Sequence, residues 1–379
     1  MIYLDCAATS WPKPETVYRA MDEFLRKSGA NPGRAGHHMA AAAAELVWQA
    51  RIAVKRFFNA PRNSHAVFTL NCTDALNIAL KGVLSPGDHV ITSSLEHNSV
   101  SRPLNRLKKL GVDYSRLSPS REGFIDPGEI EREISSRTRL IVLSHASNVF
   151  GAIQDAAAVG RIAREKGILF LLDAAQSAGV IPVDFQELGV DILACPGHKG
   201  LLGPPGTGIL LFRDGLEINP LREGGTGSSS EEAYQPESYP DRLEAGTLNT
   251  VGIVGLKAGL EFLEGETMTA VQQHKGRLIE LLVKGLRMIP GCTVYGPVDA
   301  QKRAGLVSFN LEGWAPQELA AALESSFQIA CRAGLHCAPW AHQSLGTFPG
   351  GAVRFSVGYF NTESEIKAAI EAVAALSGG

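Results

Sequence analysis

The chain has 379 residues, 45% hydrophobic and 20% charged, with a formal net charge of -3. That length can bury a sizeable core and accommodates two domains. Without a basic surplus, neither nucleic acid nor an anionic membrane is an expected partner, and a small-molecule ligand is. The start, Met1-Ile2-Tyr3-Leu4-Asp5, lacks a basic region and carries an acid, so no secretory signal is expected. No apolar run approaches the ~20 residues that cross a bilayer. The six cysteines (Cys6, Cys72, Cys195, Cys292, Cys331, Cys337) form no CxxC pair and are too few for a disulfide scaffold. A reducing cytoplasm is the expected setting.

Taken in order, Asp5-Cys6-Ala7-Ala8-Thr9 and Trp11-Pro12-Lys13-Pro14 predict an extended arm, because small residues and prolines do not sustain a helix. Helical periodicity covers Glu15 to Lys27, breaks at the glycine-rich loop Gly29 to His38, and resumes over Met39 to Phe58. His37 and His38 have no Cys or acidic partner at ligand spacing, so no metal site is expected.

From Ala66 the rhythm is strand, polar stretch, helix, repeated. Ala66 to Leu70 leads into Asn71-Cys72-Thr73-Asp74 and a helix; His89 to Thr92 leads into Glu96-His97-Asn98-Ser99 and a helix to Leu110. Leu140 to Leu143 leads into Ser144-His145-Ala146-Ser147-Asn148, with a helix from Asp155 to Lys166. Ile168 to Leu172 ends on Asp173, and Asp191 to Cys195 runs into Gly197-His198-Lys199-Gly200. Continuous apolar strands alternating with helices predict a mainly parallel sheet with right-handed crossovers, and ligands collect where such strands end. Thr73, His97, Asn148, Asp173, Gln176, His198 and Lys199 are then expected on one crevice. Thr73 sits at a helix start, where free N–H groups favour an anion or a simple cap. His97 could stack on a pyridine ring or serve as an ordinary loop histidine. An acid able to keep a pyridine nitrogen protonated, beside a lysine able to form a Schiff base, is the pairing that pyridoxal phosphate (PLP) requires.

After Ile209 to Phe212, residues Arg222 to Glu237 turn glycine-, serine- and glutamate-rich, an active-site flap or surface loop closed by Arg242 to Asn249. Gly252 to Leu263 reads as a long helix leaving the large domain, and helical periodicity continues from Thr267 to Leu286. Strands near Val294 and over Leu306 to Asn310, with helices Pro316 to Glu324 and Glu363 to Leu376, complete a smaller α+β domain. The expected division is residues 15–255 and 256–379, with the arm 1–14 packing on the smaller part.

In this order, Tyr3-Leu4-Asp5-Cys6-Ala7-Ala8, Glu96-His97, Ser147-Asn148, Asp173-Ala174-Ala175-Gln176, Gly197-His198-Lys199, Glu244-Ala245-Gly246-Thr247 and Arg332-Ala333-Gly334-Leu335-His336-Cys337-Ala338-Pro339 resemble the class V aminotransferase superfamily of fold-type-I PLP enzymes. Within it the chain is similar to cysteine desulfurases of the second, selenocysteine lyase-like group, whose Arg-x-Gly-x-His-Cys loop the last motif matches. The resemblance implies that Lys199 carries PLP as a Schiff base, Asp173 faces the pyridinium nitrogen, Gln176 the phenolic oxygen, and His97 the ring. Thr73 and His198 would hold the phosphate, joined by Thr247 from the neighbouring subunit of a homodimer with shared active sites. Asn148 and Arg354 would meet the substrate carboxylate, and Arg332 and Ala7 are counted with the same pocket. Two departures thin the phosphate subsite: Pro196 stands where a serine is common, and Asn71-Cys72-Thr73 replaces a Gly-Thr-Thr type sequence. Cys72 and the Gly224-Gly225 backbone are the candidate substitutes.

The implied reaction converts L-cysteine to L-alanine. Lys199 acts as base at the α-carbon, and the Cys337 thiolate takes the sulfur as a persulfide. His336 is a candidate to help remove the thiol proton. A sulfur-acceptor protein would follow. Selenocysteine as substrate would use the same residues, and a transaminase or epimerase of the same fold would need no nucleophilic cysteine.

Overall fold

The computed structural model describes residues 1–33, 36–228 and 230–378. Arg34 and Ala35 in the expected glycine-rich loop, Ser229 in the 222–237 loop and Gly379 at the end of the expected small domain lie outside the described residues. The chain opens with β1 (Ile2–Tyr3), α1 (Glu15–Lys27) and α2 (His38–Phe57). Alternation follows: β2 (His65–Thr69), α3 (Cys72–Val83), β3 (His89–Ser93), α4 (Asn98–Lys108), β4 (Asp113–Leu117), α5 (Pro127–Arg132), β5 (Thr138–Ser144), α6 (Ala156–Lys166), β6 (Leu169–Asp173), β7 (Ile192–Pro196) and β8 (Gly208–Phe212). The remainder comprises α7 (Thr250–Glu266), α8 (Met268–Arg287), β9 (Cys292–Tyr295), β10 (Leu306–Leu311), α9 (Pro316–Phe327), β11 (Ile329–Ala330), β12 (Arg332–Gly334), α10 (Pro339–Leu345), β13 (Ala352–Ser356) and α11 (Glu363–Ser377).

A seven-stranded sheet, ordered β2-β8-β7-β6-β5-β3-β4, forms the centre. Only β8 runs against its neighbours. The apolar runs explain how it is covered on both sides. Successive side chains of a strand face opposite ways, so a run with no polar break needs two apolar layers. Ile141, Leu143, Phe170, Leu172 and Leu193 join the core beneath α2, α6 and α7. Their alternates Leu140, Val142, Leu169, Leu171 and Ile192 join the core beneath α3 and α4. The result is a three-layer α/β arrangement.

A second, antiparallel sheet, β12-β13-β10-β9, packs with α8, α9 and α11 around Phe309, Phe355 and Leu4. Leu4 comes from the N-terminal arm, which is extended over β1, where it pairs in parallel with β11, and then folds into a turn at residues 6–8, with Ala8 N donating to the Asp5 carbonyl at 3.0 Å. The arm also reaches the large sheet. Ser10 Oγ donates to the Lys199 carbonyl at 2.8 Å, and Lys13 Nζ to the His198 carbonyl at 2.8 Å.

The structure departs from the sequence reading at an edge strand and at a helix contact, and adds the unforeseen α5, α10, β11, β12 and β13. Strand β4 (DYSRL) lies at the sheet edge with most of its side chains half-buried or exposed, so it lacks the apolar run that marks the interior strands. Helix α7 does not lead away from the large sheet. It lies against α1 and α2, burying Ile253, Leu256, Leu260 and Leu263.

The segment after β8 is pinned by a buried ion pair. Glu244 and Arg51 are each 8% exposed. Arg51 Nη1 and Nη2 donate to the two carboxylate oxygens at 2.7 and 2.5 Å, and Phe68 N donates to Oε1 at 2.6 Å. Replacing Glu244 by Ala strands a buried guanidinium and an N–H group of β2, an arrangement that costs about 3–5 kcal/mol. Glu244→Ala is therefore expected to unfold at clearly lower urea concentration than the parent, with Glu244→Gln in between. A parental midpoint for Glu244→Ala would show that the pair contributes little.

Candidate active site

Because β3, β5, β6 and β7 run parallel, and β2 runs the same way beyond β8, the polar residues after each strand emerge at one edge of the sheet. The connection from β7 to the reversed β8 turns back at that edge and carries Lys199. Its path is tightly packed. Gly179 adopts φ +72°, and a Cβ there would lie 2.2 Å from the Gly200 carbonyl oxygen, so the segment beside Lys199 leaves no room for a side chain. These ends, the arm and the paired strands β12 and β13 enclose a cavity of about 220 Å³. It is lined by Thr73, His97, Asn148, Asp173, Gln176, His198 and Lys199, the seven residues expected there from strand-end position, together with Ala7, Cys72, Arg332 and Arg354.

At the cavity floor two opposite charges are withdrawn from water. Burial lowers the Lys199 pKa from its ordinary value, opposed by the Asp173 carboxylate. Burial raises that of Asp173, opposed by the N–H of Ala175 at 2.9 Å and by Lys199. Cys72 differs from its expected place on the phosphate side. Its thiol turns to Asp173 Oδ1 at 3.7 Å, and burial pushes its pKa well above the usual thiol range, so it is a neutral neighbour of the acid. Gln176 Nε2 donates to the Ala7 carbonyl at 3.1 Å, bringing the arm to the rim.

On the α3 side, Asn71 caps the helix by accepting from Asp74 N at 2.9 Å. The Thr73 hydroxyl meets Ser99 Oγ at 2.9 Å, and Ser99 Oγ meets His97 Nδ1 at 2.6 Å. A helix start with hydroxyls and N–H groups suits an anion. Burial, and then the charge of Lys199, lower the pKa of His97 and of His198 to about 4, so both rings are neutral near pH 7.

The opposite wall is made by antiparallel pairing of β12 with β13, which sets Arg332 directly across from Arg354. Residues opposite one another share a face, so both guanidinium groups reach the cavity. Like charges so placed need anions. Asp5 supplies one, its Oδ1 accepting from Arg354 Nη2 at 3.1 Å. Arg354 Nη1 donates to the Asn148 carbonyl at 3.1 Å, while its buried Nε has no partner.

Cys337 follows this wall, its Sγ 3.7 Å from Arg332 Nη2. His336 and Cys337 take φ of 48° and 58°, a left-handed pair that non-glycine residues rarely adopt. Three hydrogen bonds hold the pair: Asn148 Nδ2 to the His336 carbonyl at 2.7 Å, Asn98 N to the Cys337 carbonyl at 2.7 Å, and His336 Nε2 to the Ala352 carbonyl at 3.1 Å. Asn148, expected beside a substrate carboxylate, thus also anchors the cysteine loop. Thr247 lies apart from the cavity, exposed. Among the described residues, no group of three or more His, Cys, Asp or Glu could hold a metal ion.

Asp5 and Ser99 were missed as site residues. The arm motif around Asp5 carried the only sequence signal for the first, and the N-cap pattern after His97 for the second. Glu96, part of the Glu96-His97 motif, is fully buried, its pKa raised to about 7 by that burial against bonds from Ser93 and Ser144. It ties the ends of β3 and β5 together.

A buried acid and a buried lysine on one floor, a neutral imidazole, a helix start for an anion and two arginines for a carboxylate define a site of the fold-type-I PLP class, and the cavity's donors fit that cofactor. The class-V aminotransferase family profile matches residues 2–369. A protein of Methanothermobacter thermautotrophicus described as a probable cysteine desulfurase is 38% identical over all of this chain and 95% of its own length. The apo structure of a cysteine desulfurase from Thermococcus onnurineus superposes with a TM-score of 0.93 at 34% identity, covering 100% of this chain and 95% of that one. The cysteine desulfurase CsdA of Escherichia coli gives 0.87 at 31%, covering 98% and 93%. The chain belongs to the class-V aminotransferase family, which is PLP-dependent.

The buried imidazoles predict an acid-sensitive fold. His145, 4% exposed with Nδ1 3.0 Å from Ser177 Oγ, has its pKa lowered from 6.5 to about 4 by burial. Below pH 6.5 the unfolded chain takes up this proton before the folded one does, so stability falls as pH drops from 6.5 towards 4, by up to roughly 1.4 kcal/mol per unit. Urea midpoints should drop over that window, and His145→Asn should flatten the slope. An unchanged slope would show that this ring titrates alike in both states.

Proposed function

We propose that the chain is a PLP-dependent cysteine desulfurase that converts L-cysteine to L-alanine and receives the sulfur on Cys337. The single observation that supports this reading is that Cys337 Sγ, on a left-handed and tethered loop, lies 3.7 Å from Nη2 of Arg332, a residue that lines the same cavity as Lys199 and Asp173. The cysteine desulfurases similar over nearly the full chain support it.

When bound, PLP supplies an electron sink for the pair left at the substrate α-carbon. Lys199 would hold the cofactor covalently and would be the base for the α-proton; its lowered pKa keeps more of the amine free for that work. Asp173 would pair with the pyridinium nitrogen, and Gln176 would serve the phenolic oxygen. Thr73, His198 and the N–H groups at the start of α3 would hold the phosphate, and the neutral His97 ring would meet the cofactor ring. Arg354, which lines the cavity, would meet the substrate carboxylate, with Arg332 and the Asn148 segment beside it. The Cys337 thiolate attacks the substrate sulfur: a sulfur–sulfur bond forms, the bond from sulfur to the β-carbon breaks, and the freed carbon skeleton leaves as alanine. Arg332 Nη2 lies 3.7 Å from Sγ, on the side from which the thiol faces the arginine pair.

A second copy of this chain completes the site in this reading. Leu25 on α1 and Trp48 and Ile52 on α2 are exposed at 62%, 56% and 44%, the kind of apolar surface a partner covers, and Thr247 is exposed for use by a neighbour. The persulfide needs an acceptor thiol, which suits a reducing cytoplasm. No helix among the described residues is long and apolar enough to cross a membrane.

The test compares alanine, sulfide and selenide formed from L-cysteine and L-selenocysteine. Lys199→Ala should lose the covalent cofactor and its near-visible absorbance. Cys337→Ala should abolish sulfide release from cysteine while sparing most selenide release, since selenium leaves without strict need of the thiol. Equal sulfide release by parent and Cys337→Ala would remove the persulfide step.

A further inference from the structure

Cys72 and Asp173 belong to elements that the sheet order keeps apart. Cys72 opens α3 after β2, Asp173 ends β6, and β8 and β7 lie between those strands, so three spacings of ~4.8 Å separate them. The start of α3 bridges part of this gap by lying against β8. A Cβ at Gly208, the first residue of β8, would lie 2.4 Å from the Asn71 carbonyl carbon, so a side chain there would push the helix start off the sheet. Asn71 caps α3 by accepting from Asp74 N at 2.9 Å, which fixes the turn that carries Cys72. Cys72 is 8% exposed and Asp173 4%, and both line the cavity. Burial keeps the thiol neutral, so its S–H group is the donor and Asp173 Oδ1, 3.7 Å away, the acceptor. The Ala175 N–H donates to that same oxygen at 2.9 Å. Among the described residues no hydrogen bond reaches Asp173 Oδ2. Two donors on one oxygen stop the carboxylate from turning, and the second oxygen is left for an N–H donor in the cavity. A thiol is a weak donor, so it orients the acid while drawing off little of the charge that a pyridinium nitrogen needs.

We propose that Cys72 is a positioning residue for Asp173: its S–H bond to Oδ1, added to that of the Ala175 N–H, turns the carboxylate so that Oδ2 is offered to the ring nitrogen of PLP. The inference rests on the PLP class of the site and is independent of the desulfurase reading. It gives Asn71-Cys72-Thr73, a departure that thins the phosphate subsite, a use on the acid side of the cavity.

Infrared spectroscopy of the full-length protein reads the bond directly. The S–H stretching band of Cys72, assigned by its loss in Cys72→Ser, is expected to move to higher frequency in Asp173→Asn, because a carboxylate is a stronger acceptor than an amide. Titration of the cofactor-free full chain with PLP reads the consequence. Cys72→Ala should weaken PLP binding about tenfold, the loss matching one hydrogen bond to a charged group, whereas Cys72→Ser keeps a donor and should stay close to the parent. In an Asp173→Asn background Cys72→Ala should have no further effect, because both act through one contact. A Cys72 that merely fills space would lower affinity equally in both backgrounds. A band unmoved by Asp173→Asn, equal PLP affinity in the parent and Cys72→Ala, or losses that add in full in the double variant would each overturn the proposal. Failure of the parent chain to take up PLP would instead defeat the cofactor assignment, and the infrared comparison would still decide whether the thiol bonds Asp173.

Discussion

Taking a lysine and an aspartate out of water at the ends of strands in one sheet is the constraint on which the rest of this structure depends. Neither charge is tolerable alone in that position, since burial favours the neutral form of both. Each is part of the other's compensation, and the Ala175 N–H supplies more. The opposed pKa shifts are useful chemically as well as tolerable. A lysine that releases its proton more readily can act as nucleophile and base, and a buried acid that meets a protonated ring nitrogen regains its charge partner. The three-layer architecture provides this setting because strands covered on both faces end at a rim walled from solvent.

The remaining wall comes from the smaller antiparallel sheet, and its electrostatics invert those of the floor. Pairing of β12 with β13 sets two arginines opposite each other, an arrangement that repels until an anion arrives. Asp5 answers part of that demand from the N-terminal arm, and the arm in turn is bonded to the carbonyls of His198 and Lys199. A segment of little intrinsic structure thereby joins both sheets to the site. Its small residues Ala7 and Ala8 line the cavity.

The cysteine loop shows how backbone strain is held in place. Two successive left-handed residues are maintained by bonds from Asn98 and Asn148 on the large-sheet side and from His336 to Ala352 on the small-sheet side. Strain of this kind persists where the surroundings over-determine it. Because the tethers come from both sides, the position of the thiol depends on how the two sheets meet, and a change in that packing would be felt at Cys337 before it was felt at Lys199.

The strand–helix alternation, the mainly parallel sheet and the gathering of Thr73, His97, Asn148, Asp173, Gln176, His198 and Lys199 on one rim were legible in the sequence, since uninterrupted apolar runs imply doubly covered strands and such strands share one polar edge. The edge strand β4 was not legible, because a polar strand gains its structure from pairing with β3 and carries no periodic signal of its own. Nor was the packing of α7 on α1 and α2, the turn of the Cys72 thiol toward Asp173 and away from the phosphate side, or the ion pair of Asp5 with Arg354. Those depend on contacts between residues distant in sequence or on the direction of a side chain. Local pattern specifies which residues lie at a strand end or in a loop, but only the packing of one sheet against the other decides which of them touch.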